Sequence, residues 1–202
     1  MTPHFRKKRS FSKNRSSKDK KTAKKKSAYT PKQNQVVVNS YSEEWLKKNF
    51  DIVYSKEIVQ EGEGVHSGSE VEIVSINGKF LGKGIRGSGE IAIRRFSTVL
   101  EDLQESFFTK RFEAALYRRS IPDDTNAWRW IHAENDDLPG IVVEVWADEI
   151  SIILSDVSLE SWLDMLLSAL SKVRLFRRAW GHVRLGEGKQ KDLGLLSTKR
   201  RK

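Results

Sequence analysis

Near residue 100 the spacing of apolar side chains changes period, and that change limits the chain to two successive folding units of different kinds. Upstream, short runs alternate. Val71, Ile73 and Ser75 alternate with Glu72, Val74 and Ile76, and Asn77-Gly78 then supplies the positive-φ positions of a tight hairpin turn. Lys79-Phe80-Leu81 starts the return strand, and residues 90–96 read as a further strand. Residues 51–58 also fit a strand. Residues 42–50 fit a short helix with Ser42 as N-cap, acids in the first turn and lysines in the last. The stretch 36–97 is thus a small, mostly β unit.

Downstream, Leu103, Phe107, Phe108, Phe112, Ala115 and Leu116 lie on one helical stripe that Ile121-Pro122 ends. Residues 127–133 alternate as a strand, and Leu138-Pro139-Gly140 makes a turn. Residues 141–146 and 150–154 are two more strands around an Ala147-Asp148-Glu149 turn. Ser158 caps an amphipathic helix whose Leu159, Trp162, Leu163, Leu166, Leu167, Leu170 and Val173 share one face. Residues 174–184 give a last strand. Helix, three strands, helix, strand predicts an α+β unit with its own core.

Charge is distributed as unevenly as period. Residues 1–35 hold 13 Lys/Arg against Asp19 alone, whereas residues 36–202 carry a net charge of −2. The arm has too few apolar side chains to offset its ordering entropy, so residues 1–35 are expected to be disordered. A polybasic arm attracts polyanions and releases their counterions. Nucleic-acid contact, a solvated solubility tail, and a localisation or anionic-membrane signal are its three open readings. No apolar face accompanies the charges, which argues against a membrane-lying helix. The chain has no cysteine, which excludes disulfides, thiolate metal sites and cysteine nucleophiles, and fits a reducing compartment. No apolar run approaches the roughly 20 residues of a membrane span, and no secretory signal is visible. A soluble, cytoplasmic protein is expected.

Five patterns invite a stronger reading than they carry. Gly82-Lys83-Gly84-Ile85-Arg86-Gly87 is a literal G-x-G-x-x-G, but a hairpin precedes it and a strand follows, so it reads as a flexible β connection that admits a neighbouring backbone. His132-Ala133-Glu134 matches half of the zinc-deaminase motif, whose other half needs cysteines. His4, His66, His132 and His182 lack metal-ligand spacing, so no metal is expected. Trp128, Trp130 and Trp162 fit a core better than a base-stacking platform. Asp136 and Asp137 beside Glu134 fit a turn or cap better than acid–base chemistry.

The order of these motifs resembles a known family. Residues 44–95 resemble the N-terminal PUA domain of the bacterial 23S rRNA cytosine-C5 methyltransferases. The matching residues are Trp45-Leu46, the 53–58 strand, the 71–76 strand with Asn77-Gly78, Phe80-Leu81-Gly82-Lys83-Gly84, Ser88 and the 91–94 strand. Residues 101–196 are similar to the small strand-and-helix domain that follows PUA there. The motif that carries this is His132-Ala133-Glu134-Asn135-Asp136-Asp137-Leu138-Pro139-Gly140-Ile141-Val142-Val143-Glu144, set against a Glu-x-Asp-x-Leu-Pro-Gly-Leu run in the family, although Glu144-Val145-Trp146 departs from the acidic residue, Arg and Tyr that follow there.

Composition and charge give a disordered arm (1–35) and a basic tail (197–202), and the resemblance implies a PUA-like barrel (36–100) and a small α+β domain (101–196) between them. It also implies recognition of structured RNA, such as ribosomal RNA. The family's S-adenosylmethionine-binding catalytic domain should begin where this chain stops. Methylation of a pyrimidine at carbon 5 also needs an activated thiolate to attack the ring, because that carbon is a poor nucleophile until an adduct forms. Catalysis and cofactor are therefore not carried over, and a non-catalytic RNA-binding protein is expected. A split methyltransferase served by a separate catalytic chain is the alternative, and a protein-interaction adaptor a third class. The expected RNA contacts are Lys24, Lys25 and Lys26 on the arm, with Lys83, Arg86, Arg94 and Arg95 on the PUA-like unit. Lys83 and Arg86 are expected to be exposed, and only one of Arg94 and Arg95 to face RNA. Arg177, Arg178 and Arg184 are the alternative surface.

Overall fold

A computed structural model describes residues 29–186 and 188–198, so Lys24, Lys25 and Lys26 lie outside the described residues. The described residues form two antiparallel-rich sheets with few helices, an α+β architecture. The first sheet is curled and half-barrel-like. Its strands are β1 (Gln35–Val38), β2 (Ile52–Tyr54), β3 (Ile58–Glu61), β4 (Glu70–Ser75), β5 (Phe80–Arg86) and β6 (Ile91–Ser97), in the order β2-β6-β5-β4-β1-β3. β1 pairs parallel with β4 and antiparallel with β3, and α1 (Ser40–Lys47) connects β1 to β2. Val36, Val38, Leu46, Val53, Val71, Ile73, Leu81, Ala92 and Ile93 fill its interior.

The second sheet has the order β11-β10-β9-β8-β7, from β7 (Ala127–His132), β8 (Ile141–Trp146), β9 (Glu149–Leu154), β10 (Arg178–Gly186) and β11 (Lys189–Thr198). The helices α2 (Glu105–Tyr117) and α3 (Leu163–Val173) supply Phe107, Phe108, Phe112, Leu166 and Leu170 to its core.

Most elements follow the sequence reading, and the departures have local causes. Asn39, not Ser42, caps α1: its Oδ1 accepts from the Ser42 amide at 2.9 Å, which frees the buried Ser42 hydroxyl to donate to Glu57. The expected 51–58 strand is broken by a 3-10 turn at Ser55–Glu57. The glycine-rich connection is itself strand β5; it still admits a close neighbour, because a Cβ on Gly84 would stand 2.4 Å from the Arg94 carbonyl oxygen. Asp156, not Ser158, caps the turn that leads into α3. β11 is a strand beyond those expected. The folded region also starts earlier than residue 36: the Tyr29 hydroxyl donates to Gln35 Oε1 at 2.7 Å.

The two sheets share apolar and polar contacts. Ile85 and Phe96 of the first sheet belong to the second core, where Phe96 and Trp162 both pack on Phe108. Trp162 donates its indole N–H to the Gly68 carbonyl at 2.8 Å. Arg94, 4% exposed, leaves β6 to reach Asp156 at 3.4 Å. Gly140 clears its path: φ there is +81° and a Cβ would stand 2.7 Å from Arg94 Nε. The glycine of the Leu-Pro-Gly turn is thus required both by its backbone and by the arginine above it.

Burial works against the Asp156 charge, but hydrogen bonds from the Ser158 amide and the Ser88 hydroxyl, with the Arg94 charge, hold its carboxyl below the usual carboxylate range. A depressed carboxyl contributes stability above its unfolded value, near pH 4, and loses it as pH falls through the folded value. Asp156→Asn strands a buried cation, so a loss of about 3 kcal/mol is expected at pH 7. Urea denaturation of both proteins should show that gap narrowing towards pH 3. A gap independent of pH would mean that the Asp156 charge does not hold the sheets together.

Candidate nucleic-acid interface

The cations expected to meet RNA are largely consumed by the fold. Lys83, 8% exposed, places its ammonium 2.6 Å from Glu70 and 3.6 Å from Asp102. Burial opposes that charge, but Glu70, then Glu72 and Asp102, outweigh it and raise the lysine above its ordinary range. Arg86 is partly buried, pairs with Glu61 at 2.7 Å and donates to the Gly87 and Ala92 carbonyls. Arg94 is spent on Asp156. Arg95 is buried as well, bound to Asp51 and to the Leu81 carbonyl. The expectation that Lys83 and Arg86 are exposed is therefore corrected, as is the one that either Arg94 or Arg95 is open. Alternation does turn the two arginines apart, but one side meets the second unit and the other meets the loop before β2. On the alternative surface, Arg177 and Arg178 pair with Asp148 and Glu149, while Arg184 is exposed.

An open aromatic corner lies elsewhere on the first unit. Tyr41 and Trp45 stand four residues apart on α1 with ring centroids 5.8 Å apart. The helix then ends in a paired turn. Asn49 takes a φ of +62°, its amide donates to the Leu46 carbonyl at 3.1 Å, and the Phe50 amide donates to the Trp45 carbonyl at 3.1 Å. This termination brings the residue after the left-handed one back onto the last turn. It sets Phe50 edge-on to Trp45 at 4.5 Å. Arg95 fixes the exit, because its amide donates to the Asp51 carbonyl at 2.8 Å while its guanidinium binds the Asp51 carboxylate. Tyr54, at the end of β2, is the fourth ring.

Tyr41, Phe50 and Tyr54 are 57%, 53% and 43% exposed, an unusual outlay of aromatic surface for an unpartnered face. They and Trp45 line a cleft of about 420 Å³. Lys48 sits over the Trp45 ring at 5.4 Å and Lys56 over Tyr54 at 5.8 Å. Glu134, on the turn after β7, reaches the same cleft from the second unit. A second, polar cleft of about 490 Å³ shares Asn49, Asp51 and Glu134 with the first and runs along the junction towards Arg111.

Neighbouring Asp136 is a structural acid: it is buried and accepts from the His132 amide, Arg118 and Arg119, as the turn reading expected. Trp130 and Trp162 are core residues. Sequence reading did not assemble the corner, although Tyr41, Trp45 and Lys48 at helical spacing were the available signal.

Residues 36–98 match the family model of the PUA-like domain. Ribosomal RNA large subunit methyltransferase I of Alteromonas mediterranea is 26% identical over 171 residues, 80% of this chain and 43% of that protein. A protein of Methanocaldococcus jannaschii described as a ribosomal RNA large subunit methyltransferase is 35% identical over 99 residues, 48% of this chain and 25% of that one. The fold is shared with a SAM-dependent methyltransferase structure from Streptococcus mutans at a TM-score of 0.69 and 17% identity, over 83% of this chain and 44% of that one. The chain thus carries a PUA-like domain and is related to the ribosomal RNA large subunit methyltransferases, spanning less than half the length of these relatives.

Lys83→Glu would set a third carboxylate against Glu70 and Asp102 in a buried position. A loss of about 3 kcal/mol, and a fall in Tm of roughly 6–12 °C, is expected in a thermal melt. An unchanged Tm would return Lys83 to the surface.

Proposed function

We propose that this chain is an RNA-recognition protein that binds structured RNA, ribosomal RNA by the likeness of its relatives, without transferring a methyl group itself. The observation that carries this reading is the open aromatic corner flanked by Lys48 and Lys56 on a PUA-like domain. Bases splayed out of loops and bulges stack on aromatic rings, and flanking lysines meet the adjoining phosphates. The basic arm, with Lys24, Lys25 and Lys26, adds sequence-independent affinity that falls with salt. Lys83, Arg86, Arg94 and Arg95 support this surface through the fold rather than by touching RNA. The absence of cysteine leaves the sequence no thiolate of its own for the ring adduct that methylation at pyrimidine carbon 5 requires.

A second reading has one observation in its favour: the relatives are more than twice as long as the parts of them that the chain matches. On it, the chain is the RNA-recognition part of a methyltransferase whose catalytic part is a separate chain.

Stacking is worth about 1–3 kcal/mol per base, so Trp45→Ala should weaken binding to a loop-containing RNA by roughly 5- to 150-fold. Fluorescence anisotropy in 0.4 M salt, where the arm is suppressed, measures this. Equal affinity of variant and parent would remove the corner from the interface. Calorimetric titration of the purified chain with S-adenosylmethionine is expected to give no heat of binding. Micromolar affinity would overturn the non-catalytic reading.

A further inference from the structure

The aromatic corner accounts for stacking but leaves open which bases it accepts, and the polar groups at its mouth bear on that choice. Besides Lys56, four of them face it, and two of the four are already committed. Asp51 is bound by Arg95. Glu57 is buried and accepts from the Ser42 hydroxyl at 2.8 Å and the Tyr54 amide at 2.9 Å. The other two are Asn49, held in its left-handed position by the end of α1, and Glu134. Glu134 is exposed, and its carboxylate has no hydrogen-bond or ion-pair partner among the described residues. Both lie where the aromatic cleft opens into the polar one.

From this arrangement we infer that Glu134 is the specificity-determining residue of the corner, selecting an unpaired base that presents an exocyclic amino group and refusing uracil. The inference rests on the base-stacking reading above. An ionised carboxylate only accepts hydrogen bonds. Cytosine and adenine each present an amino donor on the edge that a stacked base turns away from its sugar, and guanine presents an amino group beside a ring N–H. Uracil presents its single N–H between two carbonyl oxygens, which a carboxylate repels. The selecting group comes from the second unit and the stacking rings from the first, so a base is read only while the two are docked. The turn that bears Glu134 is itself fixed: Asp136 is gripped by Arg118, Arg119 and the His132 amide, and the Leu138 amide donates to the Ala133 carbonyl at 3.1 Å.

The test uses the full chain in 0.4 M salt with fluorescein-labelled five-residue oligonucleotides of cytidine, adenosine and uridine. The cytidine and adenosine oligomers are expected to bind at least tenfold more tightly than the uridine oligomer. Glu134→Gln, whose amide keeps the shape and loses the charge, should bring the three within about threefold, with an unchanged thermal melt because the side chain is exposed. Glu134→Asp should keep part of the preference. Equal binding of all three oligomers by the parent, or an undiminished preference in Glu134→Gln, overturns the inference. Trp45→Ala separates it from the reading beneath: a uniform loss leaves stacking intact whatever the outcome at Glu134, and no loss for any oligomer removes the stacking site itself.

Discussion

One buried arginine ties the two halves of this molecule together. Arg94 comes from β6 of the curled sheet, crosses above Gly140 and meets Asp156, which also accepts from Ser88 and from the Ser158 amide at the start of the turn into α3. A sheet residue, a turn glycine, a helix-entry cap and a loop serine thus depend on one carboxylate. A buried ion pair is not in itself a strong source of stability, because removing two charges from water offsets much of their attraction. Its effect is one of position. Once both charges are buried, a displaced Arg94 leaves two uncompensated ions, so the docked arrangement is much favoured over nearby slipped ones. The Phe96–Phe108–Trp162 contacts supply non-directional attraction across the same junction, and the ion pair gives it a register.

That register matters for the surface. The aromatic corner belongs wholly to the first unit, and Glu134 belongs to the second. The segment that carries Glu134 runs on through Asp136 and Leu138 to Gly140, directly under Arg94. Docking the sheets and placing Glu134 at the mouth of the cleft are therefore the same event. Arg95, the next residue along β6, reaches the other way and holds Asp51 behind Phe50. Two consecutive arginines on one strand position the two sides of one cleft, and neither is open to a ligand.

This explains what was legible in the sequence. The hairpin around Asn77-Gly78, the apolar face of α3 and the Leu-Pro-Gly turn were readable because each is written in residues close along the chain. Trp130 and Trp162 were recognised as core from strand and helix spacing alone. Lys83 and Arg86 read as exposed cations, and one of Arg94 and Arg95 as RNA-facing, because alternation turns strand neighbours to opposite faces and a strand in a small sheet ordinarily has one wet face. Here curling covers one face, the second unit covers the other, and Glu70, Asp51 and Asp156 arrive from distant segments. The corner was missed for a related reason. Its rings come from a helix, from the residue after a left-handed turn, and from a strand end, so no single period joins Tyr41, Trp45, Phe50 and Tyr54. β11 escaped because Gly194 and the charged residues Lys191 and Asp192 interrupt its alternation.

The division of charge completes the physical picture. With its inner cations paired, the region from residue 36 onward carries a net charge of −2 and offers little long-range attraction to a polyanion. Residues 1–35 carry +12 and offer a great deal, without regard to sequence. A stacked base adds only about 1–3 kcal/mol, too little to hold an RNA by itself yet enough to discriminate among RNAs already held. On the proposed reading, tethering makes the second contact intramolecular, so that a weak but selective corner would act at a high effective concentration once the arm had captured an RNA. On that reading affinity and selectivity reside in separate stretches of one chain and would respond differently to salt. A basic body would bind every duplex it met, and the small discrimination available from one cleft would be lost beneath that attraction.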